Sequence, residues 1–402
     1  MIKDESGAIA IITAVVLAFV LIGVAALAVD IGKVATTKNE LQNAADAGAL
    51  AGAGALYNDD GKVNVGANAI AIQAVEQNLA ANEEIEIVSV KRGHWSFKNE
   101  EFRANEGTTD PVDLWDFTEE QLDDPDTPPY DNFINAVKVV TRKNVNNFFR
   151  RQSSNVTAEA VAYLGFTGTL DPFEVDQPIA ICNTAIVDDD GGYTCNYGRM
   201  LHSGQAEGGE TAAWTDFNQD DSPCEGGTSA NKLRSLYNYG CSAMNSVPIK
   251  FGVDMATTHG VTTSVYKEFM DCWEQHINAN GDIPWKITLP VIDCDDGFPT
   301  TCAKPIGAVT VNVMWVTPEG VGQIEYPSEM KEVPQYNDWT KDPGDSDEDV
   351  WSDFVDHFNL VDAYPILHKT IYFLPDCDEH KIKGDTGGKN YGVLAKIPKL
   401  VD

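Results

Sequence analysis

The apolar and polar positions divide the chain into one unbroken apolar run followed by a long series of short periodic segments. From Ala8 to Val29 there are 22 residues without a charge, and Thr13 carries the only polar side chain. At about 1.5 Å rise per residue the run makes a helix of roughly 33 Å, enough to cross a bilayer core of about 30 Å. Residues 8–29 are therefore expected to span a membrane, leaving residues 1–7 as a cytoplasmic stub. Ala26-Leu27-Ala28 offers a signal-peptidase pattern, but the run exceeds the usual 7–15 apolar residues and no positive excess precedes it. Lys3 precedes the span and Lys33 and Lys38 follow it, so basic residues do not choose an orientation.

The helix is expected to continue to about residue 56, because Asp30 to Leu56 has no proline and is dense in Ala and Leu. Within it Ala45, Gly48, Ala49, Gly52 and Ala53 form a stripe of small residues at three- and four-residue spacing. Such a stripe lets another helix approach closely, either the protein's own next helix or a partner's. A second helix is predicted over 63–81. Strands are predicted at 85–90 and 94–103. Residues 104–131 hold ten acids, four prolines and no Lys or Arg, and read as an acidic loop. A strand at 136–142, a helix at 144–152 and a strand at 156–164 would close a first α/β extracytoplasmic region over 57–165.

From residue 166 the pattern changes. Gly, Asp, Asn and Cys become frequent and strands shorten. Helices are predicted at 229–237, 262–278 and 350–358, and strands at 285–292, 306–316 and 369–374. On the 262–278 helix Val265, Phe269, Cys272, Trp273 and His276 share one stripe. The expected fold class is α+β: a long N-terminal transmembrane helix, a small pilin-like α/β layer, then an acidic, Cys-rich, β-rich, disulfide-bearing domain over 166–402.

Charge and cysteine add a compartment. With 28 Lys plus Arg against 62 Asp plus Glu the net charge is −34, a field that repels phosphate backbones and excludes nucleic acid as a partner. The eight cysteines, Cys182, Cys195, Cys224, Cys241, Cys272, Cys294, Cys302 and Cys377, all lie beyond the first 181 residues. No CxxC pair occurs among them, so they read as a disulfide framework in an oxidising compartment. That places the bulk of the chain outside the cytoplasm and gives an N-in, C-out single-pass topology. Cys294 and Cys302, flanking a short acidic turn, are the plausible local pair.

Chemistry is sparse. GxSxG, HExxH, P-loop and dinucleotide-binding patterns are missing, and the chain is expected not to be an enzyme. Cys272 and His276 share a helix face, and Cys377 and His380 stand close in sequence, yet zinc would need further ligands and reduced thiols. Calcium is the cofactor the sequence admits: Asp345, Asp347, Asp349, Asp353 and Asp356 fall at loop positions 1, 3, 5, 9 and 12. Val350 stands where a calcium loop has Gly, and the competing reading is an acidic first turn of the 350–358 helix. Asp188-Asp189-Asp190-Gly191 is a weaker acidic turn of the same kind. No small-molecule ligand can be named.

A resemblance rests on Gly7-Ala8-Ile9-Ala10, Val29-Asp30-Ile31-Gly32 and, above all, the string Leu41-Gln42-Asn43-Ala44-Ala45-Asp46-Ala47-Gly48-Ala49-Leu50-Ala51-Gly52-Ala53. A second match is Asn135 to Arg142, then Phe148-Phe149, then Val156 to Ala162. These residues resemble the N-terminal domain of TadG-like proteins of Flp (Tad) pilus assembly systems. The resemblance implies an inner-membrane-anchored component of a tight-adherence pilus, with its bulk in the periplasm or at the cell surface. Its partners would be the membrane, through residues 8–29, and other pilus-assembly or pilin proteins. Type IV pilins carry a Glu five residues after the processing glycine; counted from Gly7 that position is Ile12. The DxSxS metal motif of von Willebrand A domains, found in some TadG-like proteins, is missing. The alternatives are a surface adhesin or exported minor pilin-like subunit acting through 166–402, and, further off, a secreted hydrolase.

Overall fold

The computed structural model describes residues 6–58, 62–109, 133–149, 153–187, 193, 197–202, 211–219, 228–237, 240–258, 263–280, 285–294, 301–317, 346–360, 368–376 and 380–401. One helix, α1 (Ser6–Gly54), runs from the apolar segment into the folded part without a break. Its first half is bare: the 18-residue window of highest mean hydropathy, 3.0, has none of its surface buried within the protein. Its second half is the reverse, with Leu41, Ala44, Ala45, Ala49 and Ala53 fully buried.

What buries them is α2 (Ala67–Glu76) and an antiparallel sheet of β1 (Glu86–Ser96), β2 (Glu101–Ala104), β3 (Ala136–Asn146) and β4 (Ser153–Tyr163). These strands lie in the order β4-β3-β1-β2. The inward alternation of β3 puts Val137 and Val139 on the helix side, where they pack with Ala45, Ala49, Ala53 and Val75. The second helix is shorter than the 63–81 expected, ending at Glu76. The two early strands become one long strand and a short return, with Gly93 at their crossing. A Cβ on Gly93 would collide with the backbone of Arg103, so only glycine fits the approach.

The helix expected at 144–152 is not formed. β3 runs on to Asn146 and pairs with β4 in continuous register from Ala136↔Tyr163 to Asn146↔Ser153. The reason is burial of a strand-spaced residue: Val145 lies with Leu41, Val156 and Ala158 in a small core beneath α1. Tertiary packing thus overrides the helical spacing of the local sequence.

The rest of the chain builds a mixed eight-stranded sheet. Its strands are β6 (Ile179–Cys182), β7 (Arg199–His202), β8 (Ala212–Thr215), β10 (Met255–Thr258), β11 (Trp285–Ile292), β12 (Cys302–Ala303), β13 (Pro305–Val316) and β14 (Thr370–Pro375). The order is β12-β10-β8-β6-β11-β13-β14-β7, and β11 with β6 is its parallel pair. Two small pairs flank it: β5 (Thr169–Leu170) with β9 (Ile249–Lys250), and β15 (His380–Asp385) with β16 (Val393–Ile397). Helices α3 (Ala230–Leu236), α4 (Thr263–Asn280) and α5 (Asp347–His357) complete this part.

Strand β14 shows how the sheet is sandwiched. Its residues are all buried, and they alternate between two cores. Ile371 and Phe373 face the large core holding Val265, Phe269 and Trp273 of α4. Tyr372 and Leu374 face a second core holding Val350, Trp351 and Phe354 of α5. The α+β class expected from sequence is the class found. The last strand, β17 (Lys399–Leu400), leaves this part and pairs with Tyr163 and Ala162 of β4, so the chain's end is an edge of the first sheet.

The disulfide pairing departs from expectation. Cys294 joins Cys182, with Cα atoms 5.5 Å apart, and not Cys302. The cause is the parallel pairing of β6 with β11, which sets Ile292 opposite Cys182 at the strand ends. Cys302 is in a disulfide of its own, on β12 beside β10. A second bond joins Cys241 to Cys272, tying α4 to the segment after α3. No described cysteine is free; Cys195, Cys224 and Cys377 lie outside the described residues.

Candidate functional site: the membrane helix and its collar

The small-residue stripe of α1 is occupied within the chain. A Cβ on Gly48 would stand 2.5 Å from Val75 Cγ2 and 3.2 Å from the Ala71 carbonyl oxygen. One on Gly52 would stand 2.9 Å from both Ala71 Cβ and Val137 Cγ1. Ala45, Ala49 and Ala53 are fully buried in the same core. Together with Gly48 and Gly52 they seat α1 on α2 and β3. This closeness is what glycine and alanine supply, and larger side chains would force the helix off its sheet.

Polar contacts continue that seating toward the apolar half of α1. The Thr141 hydroxyl donates to the Leu41 carbonyl at 3.2 Å. Gln42 Nε2 donates to Asp46 Oδ1 at 2.8 Å and to the Glu159 carbonyl at 3.0 Å. The Ala81 amide donates to Glu40 Oε2 at 2.7 Å. Further down, Lys33 Nζ donates to the Asn146 carbonyl at 3.1 Å. At the end of the apolar run the Asp30 carboxylate, only 4% exposed, accepts from the Phe148 amide at 2.7 Å and from the Phe149 amide at 3.3 Å. The end of β3 and residues 147–149 after it thus form a collar against one side of the helix where the apolar run stops.

The sequence assigns no role to Asp30, Phe148 and Phe149, because the local spacing predicts a helix over 144–152 between the two strands. The signal was present in Asn144, Asn146 and Asn147. Asparagine is a weak helix former and a turn residue, and here it follows the strand alternation of 136–145. Around the collar, charge pairs hold β3 to its neighbours. Arg142 pairs with Glu86, which holds the Glu86 carboxyl below the usual range. Lys143 lies 2.8 Å from Glu83 and lowers that carboxyl in the same way.

Of the acidic run read for calcium, the structure describes the side chains of Asp349, Asp353 and Asp356. Ser346 caps α5, its hydroxyl accepting from the Asp349 amide while the Asp349 carboxylate receives from Ser346 in return. Asp353 and Asp356 are exposed on the outer face of α5. Asp345, the Asp347 side chain and the turn at 188–191 lie outside what is described. Among the described residues no three His, Cys, Asp or Glu side chains gather to hold a metal. Cys272, weighed with His276, is bonded to Cys241 and has no thiolate to offer. Missed entirely by sequence was Asp376, nearly buried, whose Oδ2 lies 2.6 Å from Lys286 Nζ and 3.0 Å from His380 Nε2. This trio ties β11 to the start of β15.

Comparison with families gives two adjacent matches. Residues 7–55 match the family described as Flp pilus-assembly TadE/G-like, and residues 51–162 match the family described as Tad-like Flp pilus-assembly. The first covers α1; the second covers α2 and the sheet through nearly all of β4. Comparison with curated proteins and with solved structures gives no match. Helix, stripe and collar therefore fall within the matched residues, and over 7–162 the chain is similar to the TadE/G-like and Tad-like families of Flp pilus assembly.

Proposed function

We propose that the chain is a non-catalytic, membrane-anchored structural or assembly component of a tight-adherence pilus, with residues 8–29 in the inner membrane and the remainder outside the cytoplasm. The observation that carries this reading is the sharp division of α1. Its apolar half is bare of protein contacts, and its other half is cemented to a sheet inside the Tad-matched region. A bare helix of that length needs lipid or other helices around it. The Cys182–Cys294 and Cys241–Cys272 bonds support an oxidising compartment for the second part, hence N-in and C-out. Residues 57–165 would form the α/β layer on the membrane and 166–402 the acidic part that meets other pilus components.

The exported alternative draws on the same bare half-helix, which could pack into a filament as well as into lipid. Intact mass of the native protein in membrane and sheared-surface fractions separates the two. Full-length chain confined to the membrane, with pili lost on deletion of the gene, is the expected result. A shortened chain in the sheared fraction would favour a minor pilin-like subunit or adhesin; normal pili after deletion would remove the assembly role.

A further inference from the structure

We propose that the tip of the β3–β4 hairpin is a second membrane contact, with Phe148 and Phe149 seated in the outer interface of the bilayer beside α1. This rests on the anchoring role of α1 argued above and adds a lipid-binding site to it. Phe148 is 76% exposed and Phe149 51% exposed, adjacent and packed edge to face with centroids 5.0 Å apart. Two neighbouring aromatic rings in water are unfavourable, since each has some 150–250 Å² to bury. The tip is also fixed in height. β3 descends along α1 with Val139 at Gly48, Thr141 at Leu41, Asn146 at Lys33 and Phe148 at Asp30.

Asp30 is the first charge after the apolar run, whose length of roughly 33 Å matches a bilayer core of about 30 Å. The hydrogen bonds from the Phe148 and Phe149 amides to Asp30 therefore place both rings at the boundary between acyl chains and headgroups. On the helix, the residues either side of Asp30 are exposed as well, Val29 at 56% and Ile31 at 59%. Phenylalanine is among the apolar residues that interfacial segments bury at the boundary of headgroups and acyl chains. The occupant is phospholipid of the same bilayer. The tip would fix the tilt and rotation of the folded part on the membrane, which a single helix leaves free.

The test uses the full chain in phosphatidylcholine vesicles, with photo-reactive benzoylphenylalanine at one position at a time. Position 20, within the apolar run, reports the anchor, and position 173, where Phe173 is 66% exposed far along the chain, reports an aqueous site. The expected result is a lipid adduct at position 148 within about threefold of that at position 20, and at least about tenfold above position 173, as for an interfacial group. Adducts at 20 and none at 148 would overturn the hairpin contact while leaving the anchor intact. Protein adducts at 148 in place of lipid would overturn it too, in favour of a second copy. No lipid adduct at 20 would overturn the anchor itself.

Discussion

The two parts of the molecule are held together by different means. Residues 30–163 contain no cysteine, and the helix face at the centre of their core is made of small side chains, Ala44, Ala45, Ala49, Ala53, Ala67 and Ala71, with Val75, Val137, Val139 and the larger Leu56, Tyr57, Phe133 and Ile134 around it. The eight-stranded sheet is filled by large ones, among them Trp214, Tyr266, Phe269, Trp351, Phe354, Tyr372 and Phe373, and is stapled by disulfides. The difference follows from what each part must hold. α1 lies close on α2 and β3 along one face, and Gly48 and Gly52 leave the room for that approach. A mixed sheet with helices on both faces has deep spaces to fill, and aromatic rings fill them.

The two designs should therefore fail in opposite ways. The largest effect is expected from removing the Cys182–Cys294 bond, which closes a sequence separation of 112 residues. The double variant Cys182→Ala, Cys294→Ala should lose about 2–5 kcal/mol of stability. Hydrogen exchange should rise in β6 and β11 while β3 and β4 stay protected. Equal loosening of β3 would show that the two parts unfold as one.

A smaller effect of the opposite kind is expected at the stripe. Gly48→Val drives two methyl groups into Val75 and the Ala71 carbonyl and should cost about 1–3 kcal/mol. Exchange should then rise in α2 and β3, with β11 and β13 unchanged. A stripe reserved for a partner helix would instead leave the isolated protein as stable as before.

The smallest effect concerns acid. Burial lowers the pKa of His202 on β7 below that of a free histidine. The folded state then binds fewer protons than the unfolded one between the two pKa values. Stability from this group is full above the unfolded value of about 6.5 and is lost as pH falls through it. Burial raises the Asp176 carboxyl, which works the other way: its folded form gains as pH falls. A thermal midpoint that drops between pH 7.5 and 5.5, with a smaller drop in His202→Gln, is the expected signature.

Legibility from sequence differed along the same divide. The α1 boundaries and the stripe were readable because an uninterrupted helix writes its period into the sequence. Strands β11, β13 and β14 and helix α4 were readable too, since each carries its own apolar pattern. The collar was not, because residues 144–149 are fixed by Leu41 and Asp30, more than a hundred positions earlier. Cys294 joined Cys182 for the same reason: the parallel pairing of β6 with β11 is decided by the whole sheet and leaves no local mark. The return of β17 to the first sheet was equally invisible, a two-residue strand at the far end of the chain.

The topology proposed for the chain is one N-terminal anchor with everything beyond it outside the cytoplasm. It is tested most directly by protease added to intact spheroplasts carrying the full chain tagged at both ends. The expected result is loss of the C-terminal tag and survival of the N-terminal one, with the pattern reversed in inside-out vesicles. A C-terminal tag protected in spheroplasts and cleaved in inverted vesicles would contradict it.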